Sequence, residues 1–109
     1  MSDVIKVGFF GCGNVGGGVY RLMNGFAKEI AHRTGLRFEV KKVLVRDVNK
    51  KRDVELPQEV LTSNVNDLLE DDEISIILEF LGGEEPAYSY LLAALQHGKT
   101  VVTANKVAF

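Results

Sequence analysis

A chain of 109 residues with a formal net charge of −2 has room for one small domain and offers no electrostatic case for nucleic acid or an acidic membrane. Hydrophobic residues make up 46% and charged residues 26%, an ordinary globular balance, and no apolar run approaches the roughly 20 residues that cross a bilayer. The single cysteine excludes an intrachain disulfide and a cysteine-rich zinc site, so no metal is expected, and the lack of a signal-peptide pattern makes the cytoplasm the expected location.

The first predicted element is a strand, Val4 to Phe10, which runs into Gly11-Cys12-Gly13-Asn14-Val15-Gly16. A helical pattern leaves this stretch, with Val15, Val19, Leu22, Met23, Phe26 and Ile30 at three- and four-residue steps. Strand, glycine turn and helix form the context in which G-x-G-x-x-G becomes a dinucleotide-binding hypothesis. Gly11 permits the tight turn, Gly13 lets the backbone approach a pyrophosphate, and Gly16 allows close helix packing. The diphosphate then rests on the helix N-terminus. Phe10, Asn14 and Val15 line the turn, mostly through backbone groups. Cys12 reads as a small residue tolerated between two glycines. The helix is predicted over Val15 to Arg33, with Gly25 tolerated inside it and Gly35 as a left-handed cap.

Phe38 to Val45 is the second predicted strand, turning fully apolar at its end as a strand entering a buried sheet does. The charged segment Arg46-Asp47-Val48-Asn49-Lys50-Lys51-Arg52-Asp53 follows. An acidic residue after this strand bonds a ribose 2′-OH and favours NAD, whereas an arginine accommodates a 2′-phosphate and favours NADP. Both are present as Arg46-Asp47. Bidentate guanidinium chemistry and the further cations point to NADP, with NAD the alternative. The acidic residue lies further beyond the glycines than the roughly 20 residues usual for the fingerprint, which the long first helix accounts for.

Asn64 to Glu70 is a short helix with Leu68 and Leu69 inward, and Glu70-Asp71-Asp72-Glu73 reads as a solvated acidic turn. Ile74 to Leu81 is the third predicted strand, closed by Gly82-Gly83 at the edge where open α/β sheets bind ligands. Those two glycines either let a cofactor's ribose or nicotinamide approach or simply form a turn. Glu79 falls in or near a buried strand, which is costly without a partner. Pro86 opens a helix to about His97, stopped by Gly98, and Thr100 to Thr103 is the fourth predicted strand. Tyr88 and Tyr90 read as packing, and His32 and His97 as residues at helix C-termini without a chemical role.

The succession of strands and helices predicts an α/β fold, a Rossmann-type parallel sheet with right-handed crossovers and strand order 3-2-1-4. Two further strands usually complete such a sheet. The expected unit is therefore an incomplete NAD(P)-binding domain over residues 1–109, the front part of a longer polypeptide. Its last strand is an open edge, which predicts self-association or some rearrangement.

Ile5-Lys6-Val7-Gly8 through Gly11 to Val19, Lys41 to Asp47, Glu79 to Gly83 and above all Val101-Val102-Thr103-Ala104-Asn105-Lys106 resemble, in order, the N-terminal end of homoserine dehydrogenases. The resemblance covers nearly the whole chain. It implies NAD(P)-dependent interconversion of aspartate semialdehyde and homoserine, a step toward threonine and methionine, in the full-length protein. It implies a homo-oligomer, a small-molecule substrate, and a separate catalytic domain that this chain lacks. It also implies that Lys106 lies by the nicotinamide and the reacting oxygen and is catalytic, and Thr103 at the same edge is a cofactor-binding candidate. Negative charge develops on oxygen as hydride is transferred, so a nearby cation or proton donor helps. The competing readings are a stand-alone dinucleotide sensor and a Rossmann domain used only for assembly.

Overall fold

The computed structural model describes residues 3–49, 56–81 and 86–103. Strand β1 (Asp3–Phe10) leads into helices α1 (Gly13–Gly25) and α2 (Ala27–Thr34), and β2 (Leu36–Leu44) follows. After a single 3-10 turn at Gln58–Val60 come β3 (Leu61–Thr62), α3 (Asn66–Leu69), β4 (Ile74–Glu79), α4 (Ala87–Gln96) and β5 (Thr100–Thr103). The strands form one sheet of order β3-β2-β1-β4-β5 in which every pairing is parallel. This is the expected Rossmann-type α/β architecture, extended by one strand.

Parallel sheets are covered on both faces, so their strands read as continuous apolar runs. The two cores bear this out. On one face Val7, Phe9, Val43 and Val45 lie under Val19, Tyr20 and Met23 of α1. On the other, Phe10, Leu44, Ile74 and Ile77 lie under Leu68 and Leu69 of α3 and Ala87, Leu91 and Ala94 of α4. Phe9 and Phe10, both 0% exposed, therefore point to opposite faces. Each meets a ring edge-on, Phe80 at 5.1 Å and Tyr90 at 5.8 Å between centroids. Each such burial contributes roughly 1.5–3 kcal/mol.

Three expectations are corrected. The helix predicted over Val15 to Arg33 is two helices. The break falls at Phe26, whose φ of −115° and ψ of 22° leave the helical region directly after Gly25. Packing explains it: Val15, Leu22 and Phe26 are more than half exposed, and only Val19 and Met23 of the expected stripe reach the core. The second helix packs along β2. Gly35 does cap the second helix in the left-handed conformation.

The second correction concerns strand position. Order 3-2-1-4 holds, but the strand read as third, at Ile74, is β4 and pairs with β1. The place beside β2 belongs to β3, whose two residues carry too little periodicity to be seen in sequence.

The third is the acidic turn, which is not merely solvated. Lys41 Nζ lies 2.6 Å from Asp71 Oδ2 and 2.6 Å from Glu73 Oε1, and Lys6 Nζ lies 3.1 Å from Glu73 Oε1. The buried Lys99 donates to the carbonyls of Asp71 at 2.9 Å and Ile74 at 2.7 Å. Strands far apart in sequence supply these cations, so no local pattern announces them. The hydrogen bond from Lys41 is the main cause holding the Asp71 and Glu73 carboxyls below their ordinary values and raising that of Lys41.

A carboxyl with a depressed value in the folded state stabilises the fold above its unfolded value, roughly pH 4, and loses that contribution as pH falls through the folded value. A raised lysine contributes below its unfolded value and loses the contribution as pH rises through the folded one. Replacing Lys41 with methionine is therefore expected to lower the urea midpoint at neutral pH. The gap to wild type should close as pH falls below roughly 4. A gap that stays constant down to acid denaturation contradicts this assignment.

Candidate dinucleotide site

The site is built at the carboxyl ends of the central strands, where β1 hands over to α1. Gly11 has φ +81° and Gly13 φ +56°, both in the left-handed region that disfavours a side chain. Two backbone hydrogen bonds fasten the turn to its neighbours. Gly11 N–H donates to Leu44 O of β2 at 2.8 Å, and Phe80 N–H donates to Phe10 O at 2.8 Å.

Room at the three glycines differs in an informative way. A methyl group on Gly11 would meet Leu81 Cδ2 at 2.8 Å, and one on Gly16 would meet the Phe80 ring at 3.1 Å. Gly11 is thus a tight-turn residue seated on Leu81, and Gly16 a close-approach residue seated on Phe80. Among the described residues nothing lies within 4 Å of where a Gly13 side chain would begin, so its absence leaves open space there. That is the division of labour a diphosphate needs.

Helix α1 fits an anion at its entrance. Its N-cap, Cys12, makes no side-chain capping bond, and the first turn holds no acidic residue to oppose a phosphate. The first N–H groups of a helix have no partners within it and carry the positive end of the dipole. Cys12 itself is buried among the residues of the α1 face.

The other predicted residues distribute along the same edge. Phe10 is a core residue whose side chain packs on Tyr90, so it brings only the strand's end to the turn. Asn14 is the second residue of α1, and Val15, next in the chain, stands 63% exposed. Arg46 is exposed just past β2, and Asp47 Oδ1 accepts a hydrogen bond from Asn49 N–H at 2.9 Å. Thr103 ends β5, in register with Glu79, which is in turn in register with Phe10. Gly82, Gly83, Asn105 and Lys106 lie outside the described residues, as do Lys50, Lys51 and Arg52. Among the described residues no helix is long and apolar enough to cross a membrane, and no group of three metal-ligating side chains occurs.

Sequence reasoning missed what Phe80 and Leu81 do. They were legible only as the end of an apolar strand. In space they are the floor of the glycine turn, one under Gly16 and the other under Gly11. The signal was an apolar pair outlasting the strand itself, immediately before two glycines.

A parallel sheet of order β3-β2-β1-β4-β5, with a three-glycine turn between β1 and an uncapped helix, defines a dinucleotide-binding domain of the Rossmann class. The family described as homoserine dehydrogenase, NAD binding domain, matches residues 11–109. The chain belongs to that family. It is 44% identical over 102 residues to the homoserine dehydrogenase of Bacillus subtilis and 41% identical over 104 residues to that of Synechocystis. Each alignment takes in 94% of this chain, but only 24% and 23% of the relatives, so the chain spans about a quarter of their length. Among solved structures, S. aureus homoserine dehydrogenase superposes with a TM-score of 0.90 at 37% identity, over 97% of this chain and 27% of that one. The enzyme from Thiobacillus denitrificans gives 0.85 at 39%, over 97% and 25%.

Proposed function

We propose that this chain is the cofactor-binding part of a homoserine dehydrogenase, taking NADP in preference to NAD. In the full-length protein it would serve the NAD(P)-dependent interconversion of homoserine and aspartate semialdehyde, on the route to threonine and methionine. The observation that carries this reading is the glycine turn. It has two left-handed glycines, open space at Gly13 and an uncapped helix behind it, in a member of this family.

The sheet edge supports a direction for the ligand. Arg46 follows β2 and Thr103 ends β5, with β1 and β4 between them. Three strand spacings come to roughly 14 Å, a span an extended dinucleotide can bridge. The adenosine end then falls at β2 and the nicotinamide end at β5, with the diphosphate on α1.

The bound dinucleotide supplies the hydride acceptor. As the alcohol carbon gives up hydride, its hydroxyl gives up a proton and the oxygen becomes a carbonyl. Lys106, three residues past the end of β5, is the group proposed to stand by that oxygen. The acceptor domain for homoserine, and any oligomer, belong to the remainder of the full-length protein.

The NADP preference rests on Arg46. It is exposed and suited to a 2′-phosphate, while the neighbouring Asp47 already accepts a bond within its own loop. Titration of the full-length protein should show NADP binding more tightly than NAD. Arg46→Ala is expected to weaken NADP about tenfold and leave NAD unchanged. Equal affinities in the wild type, or tighter NAD, would remove the preference and leave the dinucleotide reading standing.

A further inference from the structure

At the carboxyl edge of the sheet, β4 ends on an acidic side chain with no access to water. Glu79 is 0% exposed. It stands in register between Phe10, which precedes the glycine turn, and Thr103, which ends β5. Its Oε1 accepts a hydrogen bond from the Thr103 hydroxyl. Its Oε2 is buried and has no hydrogen-bond partner among the described residues. A carboxyl is a poor choice for filling a core, because leucine would occupy similar space with no polar atom to satisfy. Buried acceptors left open are rare and ask for a reason.

Resting on the dinucleotide reading above, we propose that Glu79 is a positioning residue for the nicotinamide half of the cofactor, acting through the Thr103 hydroxyl. A hydroxyl carries one proton and two lone pairs. Glu79 takes the proton, so whatever else Thr103 meets, it meets as an acceptor. The groups it selects are N–H and O–H donors, which the nicotinamide carboxamide and its ribose both carry. The same bond ties the ends of β4 and β5 together where the chain leaves toward Lys106. Packing alone would not need this polarity.

The full-length protein should be titrated with NADPH and with 2′-phospho-ADP-ribose, the same molecule without nicotinamide. If the wild type prefers NAD, the pair is NADH and ADP-ribose. Glu79→Leu removes the acceptor, and Thr103→Val removes the hydroxyl while leaving Glu79 in place. Each is expected to weaken the reduced dinucleotide about tenfold and to alter its nicotinamide fluorescence, with the nicotinamide-free ligand unchanged. Glu79→Gln and Thr103→Ser keep an acceptor and a hydroxyl, and both should bind like wild type. Equal losses for both ligands, or no loss for either, overturn the proposal. If Glu79→Leu fails to fold, Thr103→Val alone decides it. A wild type that binds neither ligand removes the dinucleotide reading itself, and this inference with it.

Discussion

Replacing Lys106 with alanine in the full-length protein is expected to lower kcat for homoserine oxidation by about two to four orders of magnitude, the usual range for a group that handles the reacting proton. The reasoning begins with position. Lys106 comes three residues after Thr103, the last residue of β5, and in open α/β sheets ligands lie outside the carboxyl ends of the strands. It continues with charge. A lysine carries one positive charge, and hydride transfer between an alcohol and an aldehyde passes through negative charge on oxygen. The alkoxide oxygen, anionic once its proton has left and before hydride departs, is the partner proposed for Lys106. Because the lysine acts on the reacting atoms, the cofactor's dissociation constant should change little while kcat falls. Steady-state kinetics alongside a cofactor titration separates the two, and an unchanged kcat takes Lys106 out of the mechanism.

Gly13→Ala is expected to weaken dinucleotide binding by about a hundredfold, the equivalent of roughly 3 kcal/mol, while lowering stability by only about 1–2 kcal/mol. The two numbers have different causes. Stability falls because alanine is strained at a φ of +56°, and among the described residues nothing stands within 4 Å of the added carbon to make a clash. Binding is expected to fall because the proposed diphosphate would approach the backbone through that open space. Gly11→Ala makes the instructive contrast, since there the methyl group meets Leu81 inside the protein. Thermal melts of the free variant and calorimetric titration with NADPH measure the two effects independently. Binding within threefold of wild type would show that the diphosphate does not pass Gly13.

The glycine turn was legible from sequence because each glycine answers a local demand that spacing encodes. The order 3-2-1-4 was legible as a rule for this class, but its assignment to residues was not. The two-residue β3 leaves almost no pattern, and without it the strand at Ile74 takes the wrong neighbour. The long first helix failed at Phe26 for a different reason. Periodicity shows which residues share a face, but not where the helix axis changes direction. The acidic turn and the Glu79–Thr103 bond were hidden because both join residues from strands distant in sequence. The residues brought to the edge by local motifs were therefore found first. The part played by Phe80 and Leu81 beneath the turn, and the partner of Glu79, emerged only in three dimensions.

The floor beneath the glycine turn has a consequence for the order in which the molecule takes shape. The motif that announces the site is made early in this domain, but Phe80 and Leu81, on which Gly16 and Gly11 are seated, come 64 to 70 residues later. β1 likewise finds its second neighbour only when β4 emerges. Parallel pairings of such long separation close slowly, because the intervening chain must first be ordered. A nascent chain that ends before β4 would carry the whole fingerprint and still have no finished seat for a phosphate. Completion of the proposed phosphate seat is thus timed by the later strands, and the first-made part of this domain is among the last to be finished.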